Sequence, residues 1–222
     1  VINITPQPQA SVTIMDQKTG AIKAMVGGRG AKNSSLSLNR AYRGSTRQPG
    51  STFKILAAYA PAIDSCGKSL STIVVDEPYK YKNGKNVKNA SRSYKGAVTY
   101  RTAIANSINV CAVKVSDEIS QELGFEYCEK FGISTLIKEK KTDAGVFSDI
   151  NQTLALGGVT DGVYNYELCA AYATIANGGT YNTPTLYTKI VDHDGNVLLE
   201  NPGESHQAIK EGTASLLTSA ME

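Results

Sequence analysis

Hydrophobic and polar residues alternate in two short segments near the start of the chain. They are residues 11–15 (SVTIM) and 21–26 (AIKAMV), and the polar stretch 16–20 between them ends in Gly20. Alternation is typical of a half-buried β-strand, and a short polar connection that contains glycine is typical of a hairpin turn. The pattern therefore predicts an antiparallel β-hairpin over residues 11–26.

A helical pattern begins after the glycine-, serine- and asparagine-rich residues 27–50. The sequence STFKILAAYAPAI, which starts at Ser51, places four apolar residues on one face, so the opposite side of the first turn is expected to carry small and polar groups. These apolar residues are Phe53, Leu56, Ala57 and Ala60. Gly50 can adopt backbone angles that other residues avoid, which allows the chain to turn sharply into this helix.

Similar patterns predict the remaining elements. Six basic side chains among the asparagines and tyrosines of residues 76–96 indicate an exposed hairpin or loop, rather than a phosphate-binding patch. Helices are predicted from the N-cap Thr99 through Ala105, from Val110 to about Glu122, at 124–131 and at 165–176, the last of them ended by Asn177-Gly178-Gly179. A hairpin is predicted over 184–200, with its turn at 193–196, and a final helix from about Ser205.

The composition indicates a folded protein. The chain has 222 residues, of which 41% are hydrophobic and 19% charged, and this argues for one domain, or one with a short appendage, and against disorder, collagen and a membrane bundle. The net charge of +3 gives no indication of nucleic-acid binding. No signal peptide and no run of about 20 apolar residues is visible, so membrane attachment is expected only through a segment outside this chain.

The four cysteines, at positions 66, 111, 128 and 169, form no C-x-x-C pair and have no histidine at ligand spacing. This argues against a zinc site and against thioredoxin-type redox chemistry. Free thiols are expected, with Cys111 and Cys169 as small core residues. The spacing leaves open whether Cys66 and Cys128 form a pair.

Histidine is an improbable catalytic base here, because only two histidines exist, one in a predicted turn and one near the end of the chain. Lysine can serve instead if it lies within reach of a hydroxyl and is held neutral. Ser51 and Lys54 satisfy the first condition, since a helix brings residues i and i+3 onto one face. The backbone N–H of Ser51, in the first turn, would also be free to donate to a developing oxyanion.

The free energy required to neutralise such a lysine is large. With an unperturbed pKa of about 10.4, roughly one lysine in 2,500 is neutral at pH 7, which corresponds to about 4.6 kcal/mol. The positive end of a helix dipole supplies at most about 2 kcal/mol. Burial or a second cation must supply the remainder, so a complete site is expected to hold another positive group.

Both short motifs of this site occur twice. Ser65 and Lys68 repeat the Ser-x-x-Lys spacing, but a glycine in an apparent loop separates them, so Ser51 and Lys54 are the better pair. Ser-x-Asn occurs at 37–39, within a loop-rich stretch, and at Ser107-Ile108-Asn109, where two predicted helices meet. The second copy is favoured because polar groups at that junction can point inward.

Four segments together resemble the transpeptidase domain of penicillin-binding proteins, over nearly the whole chain and in the order that family has. They are RQPGSTFK (47–54), NSINV (106–110), LALGG (154–158) and YATIANGG (172–179). The segment from Val12 to Gly28, together with Asn39-Arg40-Ala41, resembles the bifunctional class A branch more than class B. S-x-x-K with S-D-N and K-T-G is the known signature of this group.

The resemblance implies a fold and a role for each site residue. The fold is α/β (α+β), of the penicillin-binding protein and serine β-lactamase type, with helices around a central antiparallel sheet. Ser51 resembles the acylated nucleophile and Lys54 its base, while Ser107 resembles a proton relay and Asn109 the amide that holds the substrate peptide. These roles agree with the chemistry of the groups, since a hydroxyl can pass a proton and a carboxamide both donates and accepts.

One departure from the family concerns the third motif. The only Lys-Thr-Gly, at Lys18 to Gly20, lies in the predicted turn of the first hairpin, ahead of the nucleophile, so it is interpreted as a turn. The genuine motif is expected beyond Glu222, and residues 1–222 are expected to be the N-terminal and helical portion of one transpeptidase domain. Later strands of the sheet would then be missing, which leaves the first hairpin with an open edge. We expect either that the rest of the domain accompanies residues 1–222 as a separate chain, or that the open edge of the hairpin aligns with another molecule.

The resemblance implies a D,D-transpeptidase that cross-links peptidoglycan stem peptides ending in D-Ala-D-Ala and that is acylated by β-lactams. It acts at the extracytoplasmic face of a bacterial membrane and requires no metal or organic cofactor; the isolated fragment is expected to be inactive or impaired. Two alternatives stay open. A serine β-lactamase would need a general base for deacylation, and no convincing glutamate motif is present; a non-enzymatic β-lactam sensor would normally be joined to a membrane transducer.

Overall fold

The computed structural model describes residues 8–31, 34–42, 44–143 and 145–222. In these ranges the α-helices are α1 (Ala60–Ser65), α2 (Tyr100–Ala105), α3 (Asn109–Ile119), α4 (Gln121–Lys130), α5 (Asn165–Ala176) and α6 (Glu211–Met221). The strands are β1 (Val12–Met15), β2 (Ile22–Val26), β3 (Ile73–Asp76), β4 (Tyr79–Lys80), β5 (Asn86–Val87), β6 (Gly96–Thr99), β7 (Lys140–Thr142), β8 (Gly145–Phe147), β9 (Thr180–Asn182), β10 (Lys189–Val191), β11 (Val197–Glu200) and β12 (Ser205–Gln207). Every pair that these strands form is antiparallel and two-stranded.

The predicted first hairpin is confirmed as β1 paired with β2, with its turn over 16–20. One face packs against α5, where the Thr13 hydroxyl donates to Asn165 at 2.6 Å. The other face is apolar and exposed, with Val12, Ile14 and Val26 each about half accessible to solvent. The hairpin therefore has an uncovered apolar face.

The helix predicted from Ser51 is the centre of the core, and it is not amphipathic. It starts with a 3-10 turn (Gly50–Thr52), continues as a π-helix (Ile55–Tyr59) and ends as α1. Residues 53–63 are all buried, because α3, α4 and the Leu154–Leu156 turn pack around this helix. The first turn presents the small polar residues Ser51 and Thr52 to solvent, as predicted, but residues 53–63 are buried on every side and not only on their apolar face. Pro61 lacks the N–H that would bond to the Ala57 carbonyl, which is consistent with the irregular hydrogen bonding of this helix.

The helices predicted at 110–122 and at 124–131 are confirmed as α3 and α4, but the boundary between them lies about three residues earlier than predicted. α3 ends at Ile119, and Ser120 adopts φ +79° between the helices. The Ser120 hydroxyl accepts from the Leu123 N–H and so caps α4. Both helices pack against the same central helix, so their apolar periodicity does not mark the exact position of the break.

The basic segment forms an exposed flap, residues 76–96, as predicted. β3 pairs with β6 at its base, and β4 pairs with β5 above them. Two of its polar residues, Asp76 and Asn89, are nonetheless buried. The hairpin predicted over 184–200 is also confirmed, as β10 and β11 around the turn at 192–196.

The predicted start of the last helix was wrong. Ser205–Gln207 forms β12, which pairs with β9, and α6 begins only at Glu211. The pairing across β9 is a long-range contact that the local pattern does not contain. The α5 helix and the N-cap role of Thr99 for α2 are as predicted. No helix of the described ranges has both the length and the apolar character needed to cross a membrane.

All four cysteines are free thiols. Cys111 and Cys128 are buried, Cys169 is half-buried and Cys66 is exposed. The question of a Cys66–Cys128 pair is thereby answered: the structure has none.

Candidate active site

Ser51 lies in the exposed 3-10 turn at the start of the central helix, and neighbouring segments hold this turn in place. Tyr172 of α5 donates its hydroxyl to the Thr52 carbonyl at 2.7 Å. The Gln48 side chain donates to the Val159 carbonyl at 2.6 Å and accepts from the Val159 N–H at 2.9 Å. The backbone that carries Ser51 is therefore held in place by hydrogen bonds to two other segments of the chain.

Gly157 allows the closest of these contacts. A Cβ at this position would lie 2.2 Å from the Gly50 carbonyl oxygen and 2.4 Å from the Gly50 nitrogen, and the backbone φ of Gly157 is +70°. Only glycine fits both the close approach and the left-handed backbone. This explains why the LALGG segment matters: it lies directly behind the turn that carries Ser51.

We expect Gly157→Ala to destabilise the protein by about 2 kcal/mol and to slow any reaction at Ser51, because the turn must move away from the added methyl group. Urea unfolding and the rate of acylation measure the two effects. The matched control is Gly195→Ala, which also has positive φ but has open space around the added atom. If both variants behave alike, backbone strain alone explains the loss and the contact with Gly50 is unimportant.

The side chain of Lys54 is buried, with 3% of its surface exposed. Its Nζ donates to the Ser107 carbonyl at 2.5 Å, to the Ser107 hydroxyl at 2.9 Å and to Asn109 Oδ1 at 2.5 Å. Three acceptors around one amine match the protonated form, which has three N–H donors. The Ser51 hydroxyl has no hydrogen bond to any described residue, but it lines the same cavity as Lys54.

Burial lowers the pKa of Lys54 from 10.5 to about 8. At pH 7 about one molecule in ten then carries the neutral amine, instead of roughly one in 2,500. The charge interaction with the nearby Cys111 acts in the opposite direction and offsets part of this lowering of the Lys54 pKa. Removal of water thus supplies most of the free energy that a lysine base requires.

Ser107 connects α2 to α3 in a backbone conformation that usually requires glycine. Its φ is +49°, its N–H donates to the Ile104 carbonyl, and the Ile108 N–H donates to the Ala103 carbonyl. These two bonds form a Schellman motif at the end of α2. The turn brings both the carbonyl and the hydroxyl of Ser107 to Lys54, which a continuous helix would not do.

Asn109 is the first residue of α3 and uses both ends of its carboxamide. Oδ1 accepts from Lys54, and Nδ2 donates to the Lys88 carbonyl of the flap at 2.8 Å. One N–H of this amide remains available for a substrate peptide. The structure therefore brings Ser51, Lys54, Ser107 and Asn109 to one place, from two separate parts of the chain.

The cavity at Ser51 has a volume of about 270 Å³. Ser51, Lys54 and Ser107 lie on one side, and the end of α6, with Ala220 and Met221, lies on the other. Arg101 of α2 holds α6 in this position by donating to the carbonyl and hydroxyl of Ser219. No second cation lines this cavity among the described residues, so the expected positive partner of Lys54 is not found there.

The duplicate motifs lie elsewhere and make ordinary structural contacts. Lys68 forms an ion pair with Glu118, and Ser65 donates to the Pro61 carbonyl. Asn39 of the first Ser-x-Asn accepts from the Ala41 N–H in an exposed loop. Lys18 to Gly20 forms the turn of the first hairpin, as predicted, with φ +73° at Gly20.

Sequence reasoning assigned no role to the residues that support the site. Gln48, Gly157 and Tyr172 all belong to segments that carried the family resemblance, but their contacts with the nucleophile turn join residues more than 100 positions apart. The contact between Asn109 and the flap backbone gave no signal in the sequence, because a carbonyl group is the same for every residue type. Within the described ranges, no three His, Cys, Asp or Glu side chains are grouped as a metal site.

The chain is similar to the proteins of one known family. The family model of the penicillin binding protein transpeptidase domain matches residues 10–222. Penicillin-binding protein 1A of Clostridium tetani is 38% identical over 218 residues, and penicillin-binding protein 1F of Bacillus subtilis is 32% identical over 214 residues. These alignments cover 95% and 96% of this chain but 27% and 28% of the relatives, so the chain spans about a quarter of their length.

Solved structures show the same fold. The PonA1 protein from Mycobacterium tuberculosis in complex with penicillin V has a TM-score of 0.80 and 24% identity, over 97% of this chain and 55% of that chain. Penicillin-binding protein 1A from Haemophilus influenzae has a TM-score of 0.75 and 25% identity, over 96% of this chain and 34% of that chain. The predicted fold class is therefore confirmed.

Proposed function

The chain belongs to the penicillin-binding protein transpeptidase domain family, and from that premise we propose that it carries the acyl-transfer site of a D,D-transpeptidase that cross-links peptidoglycan. The observation that carries the proposal is the buried Lys54 amine, in contact with Ser107 and Asn109 and lining one cavity with Ser51. A buried lysine next to an accessible serine is the arrangement required for nucleophilic catalysis without histidine.

In the acylation step, neutral Lys54 accepts the proton of the Ser51 hydroxyl as Oγ attacks the carbonyl of the penultimate D-Ala. The backbone N–H of Ser51, in the first helical turn, is placed to donate to the developing oxyanion. The C–N bond then breaks, and the proton passes from Lys54 through the Ser107 hydroxyl to the amine of the departing D-Ala. An acyl ester on Ser51 remains.

In the second step, an amine of a neighbouring strand attacks this ester. Lys54 accepts a proton from the amine, the ester bond breaks, and the proton returns to Ser51 Oγ. Asn109 holds the substrate peptide through its remaining amide N–H. A β-lactam offers a strained amide carbonyl to the same hydroxyl and leaves a similar ester, which explains covalent inhibition in this proposal.

Penicillin labelling tests the proposal directly. We expect one equivalent of penicillin to add to the full-length protein, and peptide mapping by mass spectrometry to place the adduct on Ser51. Ser51→Ala is the matched control and should carry no adduct. An adduct on another residue, or undiminished labelling of Ser51→Ala, would contradict the proposal.

The lifetime of the acyl-enzyme distinguishes the transpeptidase from a β-lactamase. Among the described residues, Glu222, at the end of the chain, is the one glutamate that lines the cavity. The buried Glu167 accepts hydrogen bonds from Ser134 and Tyr166 instead. Within the described ranges Glu222 is therefore the only candidate glutamate near Ser51, and no hydrogen bond or ion pair to a described residue fixes its carboxylate as a deacylating base. We expect an ester lifetime of hours, and turnover within seconds would identify a β-lactamase.

We further propose that residues 1–222 form the N-terminal and helical portion of one transpeptidase domain, at the extracytoplasmic face of a bacterial membrane. The likeness to longer transpeptidase chains and the exposed apolar face of the β1–β2 hairpin support this assignment. The proposed partners are stem peptides that end in D-Ala-D-Ala and β-lactams. One solved neighbour is a complex with penicillin V, which supports the second of these partners.

A further inference from the structure

Positive charge is concentrated in one part of this nearly neutral chain. Between Pro78 and Ser116 there are eight lysines or arginines and no aspartate or glutamate. Six of the eight belong to the flap and are exposed: Lys80, Lys82, Lys85, Lys88, Arg92 and Lys95. None of these six forms an ion pair with a described residue, although exposed lysines elsewhere in the chain do so.

The middle of the flap forms a concavity of about 550 Å³, lined by Lys88, Asn89, Arg92 and Tyr94. Asn89 is buried and fixes its floor: Nδ2 donates to Asp76 at 2.8 Å and to the Ser93 carbonyl at 3.0 Å. Oδ1 of the same side chain accepts from the Val110 N–H at 3.1 Å. The concavity is therefore anchored to the first turn of α3, which also carries Asn109.

This concavity adjoins the candidate active site. Asn109 contacts Lys54 with one end of its carboxamide and the Lys88 carbonyl with the other. On the other side of the Ser-x-Asn segment, Lys95 donates to the side chain of Asn106 at 3.1 Å. A peptide that lies along Asn109 with its reactive carbonyl at Ser51 would therefore pass close to Lys88.

We propose that the Lys88–Arg92 concavity binds a carboxylate of the donor stem peptide, upstream of the D-Ala-D-Ala terminus that reacts at Ser51. This inference rests on the function proposed above. Arginine binds carboxylates in a bidentate manner, and lysine adds a second cation. A peptide is favoured over a phosphate polymer because Asn109 contacts both Lys54 and the Lys88 carbonyl, so a ligand that reacts at Ser51 can bring its own anion to the adjoining concavity.

The test compares two synthetic peptides that end in D-Ala-D-Ala, one with a free upstream carboxylate and one with that carboxylate amidated. Release of D-Ala by the full-length protein gives KM and kcat for each. We expect the wild-type protein to favour the free carboxylate by about tenfold in KM, and K88Q/R92Q to lose this preference. The preference should also diminish as ionic strength rises from about 0.05 M to about 0.5 M.

The matched control is K18Q/K189Q, which removes two exposed positive charges outside the flap and should retain the preference. Equal KM values for the two peptides in the wild-type protein would overturn the inference, as would the same loss in the control. Competition by poly(glycerol phosphate) without discrimination between the peptides would also overturn it. Penicillin labelling of the wild-type protein separates the two hypotheses: labelling without peptide discrimination refutes only this inference, and absence of labelling refutes the proposed function.

Discussion

Replacement of Lys54 by methionine should lower the rate of penicillin acylation by about 1,000-fold, because the site loses its only base while the apolar stem of the side chain is kept. In the wild-type protein the base must be neutral. Burial lowers the pKa of Lys54 to about 8, so the acylation rate should rise about tenfold per pH unit up to pH 8 and be constant above it. The residual rate of Lys54→Met should not follow this profile. Stopped-flow acylation with a fluorescent penicillin measures both.

Lys54→Arg separates the base from a structural cation. The guanidinium group can donate to Ser107 and Asn109, but it does not lose its proton in this pH range. We therefore expect Lys54→Arg to be as inactive as Lys54→Met. If Lys54→Arg keeps more than about a tenth of the wild-type rate, the amine does not act as a base and the proposed mechanism is wrong.

Ser107→Gly should stabilise the protein by about 1 kcal/mol and slow acylation by about 100-fold. The gain arises because Ser107 has φ +49° at the position of the Schellman motif where glycine is unstrained. The loss arises because the hydroxyl that contacts Lys54 is removed, and with it the proton relay, although the carbonyl contact remains. Urea unfolding and acylation kinetics, measured on the same sample, report the two effects separately.

Two controls accompany this substitution. Ser107→Ala removes the hydroxyl but keeps Cβ, so we expect the same loss of rate without the gain in stability. Leu36→Gly relieves a similar positive φ, 56°, at a fully exposed residue of a loop, and should stabilise the protein without changing the rate. Wild-type acylation by Ser107→Gly would show that the hydroxyl is not a relay.

Most local elements could be predicted because their signals are short-range. The first hairpin, α5 and the N-cap Thr99 depend on alternation, helical periodicity and a capping hydroxyl, all of which lie within a few residues of one another. The errors occurred where distant segments decide the outcome. Ser205–Gln207 is a strand because β9 is available to pair with it, and residues 53–63 are buried on all sides because three other elements surround them.

For the candidate site, too, local sequence determined one part of the chemistry and tertiary contacts determined the other. The sequence by itself determined which groups can react, since a Ser-x-x-Lys at a helix start, a Ser-x-Asn at a helix junction and the scarcity of histidine together indicate a lysine base. The ordinary pKa of lysine also determines how much free energy the site must supply to keep this amine neutral at pH 7. Those properties belong to residue type and local spacing, which the chain carries in any environment.

Only the tertiary structure decided how the amine is made neutral and what surrounds it. The pKa of Lys54 falls because the packed core removes water from it, and no second cation contributes among the described residues that line the cavity. Gly157 fits behind Ser51, and the flap reaches Asn109, through contacts between segments far apart in the chain. Desolvation and close packing depend on the whole fold, and therefore no local pattern of residues can specify them.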